Sequence, residues 1–215
     1  MGWYLFHLIH GVRIVAFELT FSSSSSSSPS PSSSSSPPPG VLYQQSSPAV
    51  RQVNDVPRKY RKTNREVPSK ASPYVAAMLD PLKGFTAKDL KEEAVGREIV
   101  KRVLTQISLA YLRHTGDVLT SVQKMEESLK RLKKARGGGG GAAGAASGDA
   151  AAVSDDDKIR LQLALDVKAF RAQVESSFAF DAEDLEHFAQ LRMLVVEATS
   201  GLTEFVADSS SISTL

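Results

Sequence analysis

The side chains that could do chemistry in this sequence are scattered. Its histidines are His7, His10, His114 and His187. No His-x-x-x-His or carboxylate-bridged pair gives the spacing that turns two ligands toward one metal ion. Glu92-Glu93, Glu126-Glu127 and Asp155 to Asp157 are paired carboxylates, but adjacent helical residues point about 100° apart and do not converge on one substrate. A serine nucleophile needs a base or a Gly-x-Ser-x-Gly elbow, and the elbow does not occur. With no cysteine, thiolate zinc sites, a thiol nucleophile and a disulfide framework are excluded. Gly137 to Gly141 are consecutive glycines, yet no Lys-Ser/Thr follows and no strand precedes, so they do not make a phosphate loop. The residues give no catalytic set, no metal site and no cofactor; the expectation is a non-enzyme that works by contact.

With 26 basic against 24 acidic residues, the overall balance gives no argument for nucleic acid as a partner, nor for a small-molecule substrate. Local charge is more uneven. The densest basic patch, residues 57–65, carries Arg58, Lys59, Arg61 and Lys62 with one interleaved aromatic, Tyr60. It is a candidate for contact with a partner or with anionic lipid, or a segment docked on another helix.

The elements that must position these groups read as helices. Residues 86–135 carry Val100, Val103, Ile107, Tyr111, Val118, Val122, Met125, Leu129 and Leu132 in steps of three and four, one apolar face of a single long amphipathic helix. Thr86 and Asp89 are its expected start signals, Lys130 to Arg136 with the glycines beyond its stop. At about 1.5 Å per residue it would extend roughly 70 Å and needs partner helices. Gly116 costs roughly 1 kcal/mol relative to Ala in a helix interior, so a bend or break is expected there.

Before it, Ser72-Pro73 opens a short helix whose Val75, Met78, Leu79 and Leu82 share a face, with Pro81 and Gly84 expected to limit its length. After it, residues 137–153 form a Gly/Ala linker, and Ser154 with three aspartates caps a helix that is apolar on more than one side. Asp181 to Asp184 is expected to start a third helix with Leu185, Phe188, Leu191 and Val195 buried. These helices are expected to fold back on the long one as an antiparallel cluster that buries Val122, Met125, Leu129 and Leu132, so that Leu129→Asp would lower the melting temperature. Residues 203–215 look frayed.

The amino-terminal third is different. Residues 1–21 are apolar but of unclear status: on a membrane-insertion scale about ten apolar residues are roughly cancelled by Arg13, His7, His10 and Glu18. Residues 22–54 are rich in Ser and Pro and are expected to be disordered. The fold class expected is all-α, one long amphipathic helix with two to three shorter packed helices and a disordered amino-terminal third. Residues 55–136 and 154–202 are its two helical parts.

Three stretches together carry a resemblance: Pro57 to Arg65 with Ser72-Pro-Tyr-Val-Ala76 and Pro81-Leu82 behind it, Asp117 to Leu129, and Ser154 to Leu163. In this order they resemble the carboxy-terminal region of the second subunit of the conserved oligomeric Golgi complex, closest to the plant forms, over residues 53–196. The resemblance implies an all-helical, non-enzymatic, peripheral protein on the cytoplasmic face of the Golgi membrane. It would belong to a multisubunit tether that captures vesicles in retrograde transport within the Golgi. The partners it implies are the other tether subunits and, peripherally, the membrane. The family's amino-terminal coiled coil has no counterpart here, and residues 1–50 resemble nothing in the family, so a truncated form or isoform is expected. From the residues themselves, the partner-contact candidates are Val118, Val122, Met125, Leu129 and Leu132, with Arg58, Lys59, Arg61 and Lys62. The alternative is a membrane-associated or lipid-binding protein using residues 1–21 and the 57–65 patch.

Overall fold

A computed structural model describes residues 38–88, 93–136 and 153–202. Among these residues every regular element is a helix: α1 (Pro39–Arg51), α2 (Val56–Tyr60), α3 (Tyr74–Lys88), α4 (Glu93–Arg136), α5 (Asp155–Phe178) and α6 (Phe188–Thr199), with short 3-10 turns between or after some of them. The expected all-α architecture around one long amphipathic helix is what is found. The expectations for residues 1–37, 137–152 and 203–215 lie outside the described residues.

α4 is the spine, 44 residues and about 66 Å long. Its Val100, Val103, Leu104, Ile107, Tyr111, Val118 and Val122 are buried. It passes through Gly116 without a break, contrary to expectation, because buried residues on either side hold the helix through a weak position. Space does not demand glycine there: a Cβ would meet only the Leu194 Cδ2 atom, at 3.9 Å.

The start of α4 also differs from expectation. Thr86 lies inside α3, where its hydroxyl donates to the Lys83 carbonyl at 3.0 Å, and Asp89 is outside the described residues. Pro81 and Gly84 do not stop α3, which continues to Lys88. Met78, Leu79, Leu82 and Phe85 are all buried on its inner face, and that burial offsets the backbone hydrogen bond that Pro81 cannot donate.

One aromatic from each of four helices runs through the core. Tyr74 of α3 meets Tyr111 of α4 edge-on at 6.5 Å between centroids, Tyr111 meets Phe170 of α5 at 5.7 Å, and Phe170 stacks on Phe188 of α6 at 6.1 Å. Such pairs each contribute about 0.5–1.5 kcal/mol beyond the area they bury. The pairs Glu126 with Arg160, Tyr111 with Phe170 and Arg97 with Phe180 show α5 running antiparallel to α4. α6 then returns alongside α4, Phe188 near Phe170 and Leu194 near Gly116.

Local signals explain the ends of α5. Ser154 caps it, its hydroxyl oxygen accepting from the Asp157 amide at 3.1 Å, with three aspartates in the positive first turn. It ends on Ala179 in the left-handed region, φ 52°. The expected helix start at Asp181 is a single 3-10 turn instead, capped as Asp181 Oδ1 accepts from the Glu183 amide at 2.9 Å. α6 begins only at Phe188, after His187 at φ 73° reverses the chain.

The larger correction is α1. Residues 22–54 were expected to be disordered throughout, yet Pro39–Arg51 is a helix. Leu42, Ala49 and Val50 are buried, with Val53 and Val56 just beyond, and α1 packs on α3 and α4. Pro39 stands in the first turn, where its missing amide costs nothing, and the Ser46 hydroxyl satisfies itself on the Leu42 carbonyl. A composition rich in Ser and Pro concealed a short apolar stripe.

Candidate interaction surface

The nine partner-contact candidates separate into three groups. Val118 and Val122, at 5% and 0% exposure, face the chain's own core and are not available to a partner. Met125, Leu129 and Leu132 continue the same stripe but stand at 45%, 51% and 56% exposure. The expected antiparallel cluster therefore forms only as far as Val122. Toward this end α5 makes the ion pair of Arg160 with Glu126, 2.6 Å, in which Arg160 also holds Asp157 at 2.9 Å. Past that clamp the helix outruns its cover.

The basic patch is the third group, and part of it is engaged. Arg61 lies 3.8 Å from Asp156, the Lys62 amide donates to Asp155 Oδ2 at 3.2 Å, and Lys158 donates to the Arg65 carbonyl at 2.7 Å. Lys59 sits over the Tyr74 ring, 5.7 Å from its centroid. Arg58 has an exposed 3.4 Å pair to Asp55, and the Lys62 side chain is exposed. The patch and the acidic first turn of α5 are thus one feature, a loop docked on a helix start by opposite charge. Burial pushes the Asp156 carboxyl up, with Arg61 opposing that shift.

Sequence reading missed a buried polar cluster that fixes this end of the bundle. Asp166, fully buried on α5, accepts from the Ser72 amide at 2.6 Å and from the Gln162 amide at 2.8 Å on one oxygen, and from the Tyr74 hydroxyl at 2.5 Å on the other. Gln162 also donates to the Lys70 carbonyl at 3.0 Å and accepts from Tyr60 at 2.5 Å. Burial raises the Asp166 carboxyl above its ordinary value, and the hydrogen bonds from Tyr74, Ser72 and Gln162 pull it back only in part. Burial likewise raises the Tyr60 and Tyr74 hydroxyls. The available signal was Gln162 and Asp166, four apart among Leu161, Leu163, Leu165 and Val167: a polar pair inside an apolar helix must find partners. Each of its contacts is inward, and it joins the 61–73 loop and α3 to α5.

Chemically, the surface offers contact. Among the described residues no group of three or more His, Asp or Glu is placed to hold a metal ion, and no helix is long and apolar enough to cross a membrane. The wall beside Met125, with Asp117, Ser121, Lys124 and Ser128, is an open depression on one helix.

Residues 27–167 match the family model described as COG complex component, COG2, C-terminal. The chain is 45% identical over 153 residues to "Conserved oligomeric Golgi complex subunit 2" of Drosophila melanogaster, covering 69% of this chain and 21% of that relative. It is 40% identical over 151 residues to the Homo sapiens protein of the same name, covering 69% and 20%. For the Arabidopsis thaliana one it is 27% identical over 162 residues, 74% and 21%. The expected kinship with plant forms is therefore overturned: the fly and human relatives are more similar. The match also begins within the first 50 residues, which were expected to resemble nothing in the family, and it takes in α1. The chain spans about a fifth of the length of the curated relatives it matches. No solved structure matches.

Proposed function

The chain belongs to the family of the carboxy-terminal region of COG complex component COG2, and from that premise we propose that it is a non-enzymatic scaffold segment of a Golgi tethering complex. It acts in retrograde vesicle tethering and protein transport by helix-to-helix contact with the other subunits, peripherally on the cytoplasmic face of the Golgi membrane. The observation that carries this reading is the family match over a helical bundle whose longest helix leaves an apolar stripe uncovered at one end. A scaffold needs a rigid body and an unsatisfied face, and α4 supplies both.

The lipid-binding alternative is weakened by the geometry of the basic patch. Arg61 is turned to Asp156 and Lys59 lies over the Tyr74 ring, so part of the charge that would meet anionic headgroups is engaged within the chain. Affinity purification of the tagged chain from its own cells, read by mass spectrometry, tests the proposal. Recovery of the other tether subunits in near-constant ratio is expected; diffuse localisation with none recovered would defeat it.

A further inference from the structure

Three features of the free end of α4 define what fits it. The first is continuity: Val118, Val122, Met125, Leu129 and Leu132 follow steps of four and three without a fault, and the seam passes from fully buried at Val122 to half exposed at Leu129. The second is width. At about 100° per residue the five positions fall within an arc of about 80°, the narrow stripe of a helix-on-helix seam. A helix lying in a membrane interface needs a broader apolar face. The third is charge. Residues 124–136 carry six Lys or Arg and two Glu, and one of those, Glu126, is held by Arg160.

We propose that the free end of α4 docks an acidic amphipathic helix from another protein, laid along Met125, Leu129 and Leu132. A second copy of this chain is the poorer occupant, because it would set two ends of net charge plus four within a Debye length of about 10 Å of each other. Neither flank of the helix end offers a second apolar surface to offset that repulsion. The 137–152 linker is Gly and Ala with one Ser and one Asp and has no large apolar side chain to fill the seam. Three side chains make a small site, far below the roughly 800 Å² per partner of a stable free-standing pair. The contact therefore works inside an assembly that keeps the two helices close, and to that extent it rests on the tether reading above.

The absence of cysteine gives a direct test. Ser128 is exposed beside the seam, so Ser128→Cys in the full chain can exchange disulfides with cysteine-bearing designed helices under a thiol buffer. Three peptides compete: one with a Leu seam flanked by Glu, one with the same seam flanked by Lys, and one Glu-rich with Ser in place of Leu. Capture of the Glu-flanked Leu helix over both others by about tenfold is expected, with the preference lost when Leu129→Ser and Leu132→Ser are added. Equal capture of all three, or capture unchanged in the Ser-substituted chain, overturns the proposal. In cells, the L129S/L132S chain is expected to recover several-fold less of the other tether subunits than the unsubstituted chain. Undiminished recovery would leave the tether reading standing and remove this surface from it. No recovery by either chain, with selective capture in vitro, would defeat the tether reading and keep the surface.

Discussion

The two ends of α4 have the same sequence pattern and opposite surroundings. From Val100 to Val122 the stripe is buried under the neighbouring helices; from Met125 to Leu132 it carries apolar residues at the same spacing and stands half open. Periodicity reports which face of a helix is apolar. It is silent on how far along the axis the cover extends, because that depends on where the neighbouring helices start and stop.

Substitutions that put one charge at each end sharpen this contrast. Val122→Asp places a carboxylate where exposure is 0%, and an uncompensated buried charge costs several kcal/mol, about 3–5; thermal denaturation should show the chain unfolded or close to it. Asp166→Ala comes next. It strands the Ser72 amide, the Tyr74 hydroxyl and the Gln162 amide, each about 1–3 kcal/mol if left unpaired, less where groups relax toward water, so a loss of about 2–4 kcal/mol is expected in urea titrations. Asp166→Asn keeps one acceptor oxygen, enough for the Ser72 and Gln162 amides, and should cost less.

The pH dependence of the same residue has a definite sign. The Asp166 carboxyl titrates above its ordinary value in the folded chain because burial outweighs its hydrogen bonds. The native state therefore holds a proton that the unfolded chain releases. This contribution is full below the ordinary aspartate range and is lost as pH rises through the folded-state titration. The stability difference between the unsubstituted chain and Asp166→Asn should move accordingly as pH rises above the ordinary aspartate range; a difference independent of pH would contradict the assignment.

Gly116→Ala should raise stability by about 0.5–1 kcal/mol, since the helix is regular there and a methyl meets only ordinary contact with Leu194. A loss in the melt would mean that α6 sits closer than 3.9 Å allows. Smallest of all is Leu129→Asp, which the spacing alone predicts to be destabilising. At 51% exposure it should shift stability by no more than about 0.5 kcal/mol, while abolishing any contact the seam makes.

What the sequence made legible was local. The cap at Ser154, the apolar faces of α3, α4 and α5, and the all-helical class each follow from a few neighbouring residues and the period of 3.6. α1 was hidden because its buried Leu42, Ala49, Val50 and Val53 are too few to outweigh the Ser and Pro around them. Thr86 looked like a cap because its hydroxyl has two uses, and here it bonds back within α3. The basic patch and the acidic first turn of α5 were both visible, lying about 90 residues apart; only the fold shows that they answer each other. Of the surface, the three residues Met125, Leu129 and Leu132 were named from spacing. Their separation from Val118 and Val122 required the packing of α5 to be known.

Hydrogen exchange along α4 tests the central claim most directly. Protection near the global stability is expected from Val100 to Val122, falling steeply after the Glu126 clamp, and recovering from Met125 to Leu132 when the Glu-flanked helix is bound. Uniform protection along the whole helix of the free chain would mean that the chain covers its own seam, and the account of α4 as an open docking edge would be wrong.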